Sequence, residues 1–318
     1  MTKTKEKNEK KCNGSVILLF VDGVGIGEPY KEKNPFFSHP FKIFSDVFPE
    51  APHHGNVPLQ CEQGVLFPVD AAHGFPGFPQ SGTGQMSIFG GFDAIKAFGG
   101  HFGPYAPISI VDKIYETNVF KDALAAGYSF NFLNAYPRPF FTYLRKKPKR
   151  LNVTAHCVLS SGIGFNKAAQ VHKKQAVSAE ITNQRWRDKI GLLVPLITPE
   201  DAANILLRKA KTADLLVYEY FLTDYAGHRR YDGNLEELYD TIDRFLLHIF
   251  KNFNSEQDTI LLCSDHGNFE DISVKTHTMN PSMFIALGKH ADKAPKEIKD
   301  LKSIKKFVFK ILKENEIS

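Results

Sequence analysis

Ile260-Leu261-Leu262-Cys263-Ser264-Asp265-His266-Gly267-Asn268 is a short apolar run that ends in polar residues and a glycine. Two other runs end the same way. Ile17-Leu18-Leu19-Phe20-Val21 leads into Asp22-Gly23, and residues 215–222 lead into Thr223-Asp224, with Gly227-His228 just beyond. Short continuous apolar runs bounded by turn residues read as strands buried on both faces. Residues 15–21, 129–135, 215–222 and 259–263 fit that description, and 282–287 adds a late one. Helical spacing of apolar residues separates them at 118–126, 199–210, 235–250 and 301–312. Thr198 with Pro199 and Glu200 makes a helix start, and Gly127 makes a helix stop.

Strands alternating with helices of this length require crossover connections, so the pattern predicts an α/β fold with a mostly parallel sheet covered on both faces. Residues 138–197 break the rhythm. They are first basic (Arg145, Lys146, Lys147, Lys149, Arg150), then rich in Gly and Ser, and they hold the sole tryptophan, Trp186. This stretch is expected to be a small insert or cap. The expected core is residues 15–137 together with 198–318, and residues 1–14 are expected to be a disordered basic tail.

Composition narrows the function classes. A chain of 318 residues with 42% hydrophobic and 24% charged residues has room for one large core and a modest insert, and is unlike a disordered or fibrous protein. No apolar run approaches the ~18 residues of a membrane span. The apolar stretch behind the basic N-terminal residues stops at Asp22, too early for a secretory signal. The four cysteines are dispersed without a C-x-x-C pair, which points to a reducing, cytoplasmic setting. The net charge of +5 is partly the N-terminal lysines and forms no long basic stripe, so neither nucleic acid nor membrane is expected as a partner.

In a parallel sheet the carboxyl ends of the strands open on one edge, where ligands bind. Asp22, Asp224 and Asp265 therefore converge, and His228, His266 and His277 join them. Such a mixed oxygen and nitrogen set suits two divalent ions, zinc or manganese. Taken singly, an aspartate after a strand is commonly a turn former and a histidine a satisfied polar residue; the joint pattern carries the metal reading. Pro79-Gln80-Ser81-Gly82-Thr83-Gly84-Gln85 is a small-residue turn before Met86-Ser87-Ile88-Phe89, placing a hydroxyl at a helix N-terminus where an anion is favoured. Alone, that turn reads equally as an N-cap.

Together these segments resemble the alkaline phosphatase superfamily, especially its cofactor-independent phosphoglycerate mutase and phosphopentomutase branch. Ser81-Gly82-Thr83-Gly84-Gln85 is similar to the nucleophile turn of that branch. Asp224-Tyr225-Ala226-Gly227-His228 is similar to its Asp-x-x-Gly-His segment, and Arg229-Arg230 to the residues that follow in phosphopentomutase. Asp265-His266-Gly267-Asn268 is similar to its Asp-His-Gly-Asn signature, and Thr276-His277-Thr278-Met279-Asn280-Pro281 to its last His-Thr segment.

The resemblance implies a three-layer sandwich of the alkaline phosphatase type. It implies one metal ion on Asp22, Asp265 and His266 with Ser81 touching it, and a second on Asp224, His228 and His277. It also implies a phosphoserine at Ser81 during phosphoryl transfer on a small phosphorylated metabolite, as a phosphatase or a phosphomutase. A non-catalytic metal-binding relative is the alternative.

Thr83 is the rival hydroxyl; the spacing of Ser81 to Gly84 favours Ser81. Gln85 stands where those mutases commonly carry His. The 138–197 stretch is shorter than the inserted domain of a phosphoglycerate mutase, so that particular reaction is not expected. The turn lacks the Cys-x-Pro-x-Arg of a sulfatase.

Overall fold

The computed structural model describes residues 13–317. Most of the expected basic tail, residues 1–12, lies outside the described residues. Asn13 belongs to the folded body, its amide donating to the Asn315 carbonyl at 3.1 Å.

Among the described residues nine strands form two sheets: β1 (Val16–Val21), β2 (Leu59–Cys61), β3 (Gly64–Val69), β4 (Phe130–Phe132), β5 (Asn134–Ala135), β6 (Val177–Ser178), β7 (Leu215–Tyr220), β8 (Thr259–Cys263) and β9 (Ser282–Gly288). The main sheet runs β2-β3-β9-β8-β1-β7-β4, while β5 and β6 pair separately. β1 lies parallel to both β7 and β8, and β4 is parallel to β7. The pairs β8·β9, β9·β3 and β3·β2 are antiparallel, so five of the seven strands point one way.

The apolar runs are strands because both of their faces are covered. Ile17, Leu19 and Val21 of β1 join one core with Leu216, Tyr218, Ile260 and Leu262, roofed by the Pro199–Ala210 and Leu235–Asn252 helices. Val16, Leu18 and Phe20 point the other way, into a core with Leu215, Val217, Leu261 and Cys263 under the Ser81–Gly90, Val119–Ala125, Val153–Ser161 and Ser303–Ile317 helices. Alternate residues thus serve opposite layers, as a pleated strand requires. The result is a three-layer α/β sandwich.

Two readings of the sequence are refined. Residues 129–135 are two strands: β4 pairs with β7, whereas β5 leaves the main sheet for β6. The strand at 282–288 is antiparallel, which matters for the site because its beginning, and not its end, reaches the edge where β1, β7 and β8 finish. Within residues 138–197, Val153, Cys157 and Val158 pack in the second core, while Trp186 sits in a small separate cluster with Ala135, Val171, Ala176 and Val194.

Candidate metal centre

The register fixes three of the acids. Val16 to Val21 align with Leu215 to Tyr220, and Val16 to Phe20 align with Thr259 to Cys263, so the three strands stop level with one another. Asp22 follows β1 directly, and Asp265-His266 follows β8 after Ser264. Asp224 lies in the first turn of the Leu222–Gly227 helix after β7, and His228 caps that helix one turn later. His277 arrives from the loop before β9. Ser81 opens the Ser81–Gly90 helix, all ten residues of which are buried.

These side chains form two abutting groups. Asp22, Asp265 and His266 offer ligand atoms within 4.8 Å of one another, and so do Asp224, His266 and His277. In the first group, His266 Nε2 is 3.3 Å from Asp22 Oδ1 and 3.6 Å from Asp265 Oδ2. Ser81 Oγ is 2.9 Å from the same nitrogen. In the second, His277 Nε2 is 3.0 Å from His228 Nε2 and 3.6 Å from Asp224 Oδ1, and His228 Nε2 is 3.4 Å from Asp224 Oδ1. His266 and His277 stack with ring centroids 3.7 Å apart, so His266 borders both groups. The structure brings together all seven residues singled out in the sequence.

Backbone carbonyls set the imidazoles. His277 Nδ1 donates to the Pro79 carbonyl at 2.6 Å, and His228 Nδ1 donates to the Lys275 carbonyl at 2.8 Å. A proton held at Nδ1 leaves Nε2 as a lone pair. Two such lone pairs 3.0 Å apart repel unless a proton or a metal cation lies between them. Among the described residues, Asp22 Oδ1 is buried without a hydrogen-bond donor. The donor set therefore fits a divalent cation at each group.

Electrostatics agree. Burial, Asp265 and Asp224 hold the Asp22 carboxyl well above the usual aspartate range. Burial alone would depress His266, but Asp265, Asp22 and Asp224 outweigh it and push it up to about 10. Burial, with the His266 charge adding to it, takes His277 down to about 3. The raised acid and the raised imidazole show an excess of negative charge on this buried edge, which a cation would offset.

Several supporting residues were not assigned in the sequence. The Gln85 amide donates to Asp22 Oδ2 at 3.4 Å and Asp265 Oδ2 at 3.3 Å. Asn268 Nδ2 donates to Asp224 Oδ1 at 2.7 Å. The carboxylate of buried Glu270 accepts from the amides of Gly25 and Asn268 and from Thr278 and Asn280, tying together the loops after β1 and β8 and the loop before β9. The signal for Asn268 and Glu270 was their adjacency to Asp265-His266-Gly267. Thr83 turns its hydroxyl to Phe102, accepting from that amide at 3.1 Å, so Ser81 is the hydroxyl that faces the imidazoles.

Other candidates are occupied elsewhere. Arg229 binds the carbonyls of Ile272 and Ser273, His73 pairs with Asp93, and the His101 ring meets the Phe75 carbonyl. A cleft of about 590 Å³ opens over the centre, bordered by Ser81, Asp224 and His277 and by Arg230, Lys275 and Glu219.

Residues 193–313 match the model of the Metalloenzyme superfamily. The matched segment contains Asp224, His228, Asp265, His266 and His277; Asp22 and Ser81 lie outside it and are brought in by the fold. No curated protein matches by sequence.

Among solved structures, the PH0037 protein from Pyrococcus horikoshii is 14% identical with a TM-score of 0.53, over 96% of this chain and 98% of that one. At that identity the likeness is one of fold. The alkaline phosphatase of the Antarctic bacterium TAB5 is 12% identical, TM-score 0.47, over 95% of this chain and 99% of that one. The C-terminal periplasmic domain of EcEptC from Escherichia coli is 10% identical, TM-score 0.47, over 94% and 82%. No helix among the described residues is long and apolar enough to cross a membrane.

Proposed function

We propose that the protein is a two-metal phosphoryl-transfer enzyme that acts on a small phosphorylated molecule through a phosphoserine at Ser81. The observation that carries this reading is the pair of imidazole nitrogens 3.0 Å apart, each with its other nitrogen committed to a carbonyl, beside three carboxylates and a serine hydroxyl. Asp22, Asp265 and His266, with Ser81, would hold one manganese or zinc ion; Asp224, His228 and His277 would hold the other. When bound, such a pair offsets charge on the attacking and leaving oxygens of an in-line displacement.

The chain's own residues supply the rest. Ser81 Oγ stands at the first turn of a buried helix, where the helix dipole favours the incoming anion. Arg230 and Lys275 border the cleft and are placed to meet phosphate charge. Ser81 gives its hydroxyl proton to water as the Oγ–P bond forms and the ester P–O bond breaks, and the departing alcohol takes a proton from water. Water, or an acceptor hydroxyl, then takes the phosphoryl group and frees Ser81. Residues 15–137 and 198–318 would serve as the catalytic core and 138–197 as its cap.

The test is a phosphoester panel assayed with Mn²⁺, Zn²⁺ and Mg²⁺, following both free phosphate and isomer formation. Ser81→Ala is expected to lose at least a thousandfold in turnover and all phosphoserine while still binding metal. A Ser81→Ala protein as active as the parent would end the reading.

A further inference from the structure

A second cavity, of about 480 Å³, lies beside the metal cleft and shares part of its wall: Tyr105, Asn152, Glu219, Phe221 and Tyr225 border both. A molecule held at Ser81 can therefore continue into it. Beyond the shared wall the cavity is aromatic. The Tyr136 and Phe140 rings meet at a 36° tilt with centroids 4.2 Å apart, and Tyr143 and Trp186 add further faces. Tyr105 and Tyr225 remain 41% and 44% exposed at the junction, an unusual state for large rings in a concave site.

Part of the charge in the cavity is spent, although Arg150 and Glu180 also line it. Arg185 and Lys189 both hold Asp232, at 2.5 and 2.8 Å. Glu219, 3% exposed, accepts from Thr154 Oγ1 at 2.6 Å and from Asn152, so among the described residues its hydrogen-bond donors are neutral. Burial pushes Glu219 up to about 7, so an acidic or doubly phosphorylated leaving group meets a full repelling charge there only as pH rises past neutrality. A flat, uncharged ring would bury its faces against aromatic walls and gain stacking there.

We propose that this cavity is the leaving-group pocket of the same site and that the substrate is a monophosphate ester of an alcohol bearing a flat, neutral aromatic ring. Nucleoside and aryl phosphates share that chemistry. The inference rests on the phosphoryl-transfer reading for its reaction: the ester P–O bond breaks, the Ser81 Oγ–P bond forms, and the protonated alcohol is left in the aromatic cavity.

Trp186 is the only tryptophan, so its emission reports on the cavity without metal or turnover. The full chain in chelator is titrated with adenosine, phenol, ribose and glycerol. A saturable emission change is expected with adenosine or phenol and not with ribose or glycerol, unchanged in Ser81→Ala. Which of the two aromatic alcohols binds more tightly separates nucleoside from aryl esters. Phe140→Ala is expected to raise the half-saturating concentration about tenfold, with a melting curve confirming that it folds. Independently, kcat/KM with Mn²⁺ is expected to be at least tenfold higher for adenosine 5′-monophosphate or phenyl phosphate than for glycerol phosphate.

Silent emission and equal kcat/KM, with glycerol phosphate still cleaved, would overturn the pocket and leave phosphoryl transfer standing. An emission change with no ester cleaved would overturn the leaving-group assignment through failure of the phosphoryl-transfer reading.

Discussion

The smallest features of this centre are hydrogen bonds that aim the metal-facing atoms. Asn268 is fully buried and gives its amide to Asp224 Oδ1, an oxygen that also faces His228 and His277. Partners of this kind typically hold ten- to a hundredfold of metal affinity. Asn268→Ala is therefore expected to weaken one of two Mn²⁺ or Zn²⁺ binding events by that factor in calorimetry, leaving the other near its parental value. Equal weakening of both events would show that Asn268 supports the whole edge and does not orient Asp224. Gln85 acts similarly on Asp22 and Asp265. A neutral donor between two acids lowers their repulsion without adding charge, so the amide at this position is compatible with a working site.

One element decides whether Ser81 reaches the imidazoles: the buried helix Ser81–Gly90. It can pass under the 102–105 loop because Gly82 has no side chain; a β-carbon there would stand 2.1 Å from the Tyr105 carbonyl oxygen and 2.6 Å from that of Phe102. Gly82→Ala must push the loop or the helix aside, at a cost of about 1–3 kcal/mol. It is expected to lower the melting temperature and to depress kcat more than KM, since Ser81 moves with the helix. Normal turnover in Gly82→Ala would show that the turn tolerates displacement.

The strands that aim the acids were legible in the sequence because residues buried on both faces give continuous apolar runs: β1, β7 and β8 stand where 15–21, 215–222 and 259–263 placed them. The β2–β3 hairpin was not legible. β2 has three residues, β3 carries Pro68, and only pairing with β9 makes them strands. The Val153–Ser161 helix escaped notice for a related reason: Val153 and Thr154 are poor helix formers, and its buried face against the second core holds it. All seven site residues were legible as residue types, but His266 could not be seen to border both groups, because stacking on His277 is a tertiary contact.

Over the whole molecule, two packed layers force carboxylates and imidazoles onto one sheet edge, and the protonation of that edge is linked to folding. The folded values of His266, about 10 against an ordinary 6.5, and of Asp22, above 3.8, are both raised. A raised value means the folded state holds its proton more tightly than the unfolded chain does. Each group's contribution is therefore complete below its unfolded value and fades as pH climbs through its folded one. In chelator, stability from this edge should decline as pH rises from about 6.5 toward about 10, with His266 the main source of the loss.

Metal reverses that trend. Its ligands must be deprotonated, so binding expels those protons and tightens as pH rises, and a ligand that binds only the folded state stabilises it by RT ln(1 + [L]/Kd). The gap in melting temperature between Mn²⁺-loaded and chelated protein is thus expected to widen steadily from pH 6 to pH 9, by several degrees for each ~2 kcal/mol gained. His266→Gln should flatten the decline in chelator and shrink the gap at pH 9. A gap independent of pH would mean that the proton on His266 does not compete with metal, and that the cations lie elsewhere than on this sheet edge.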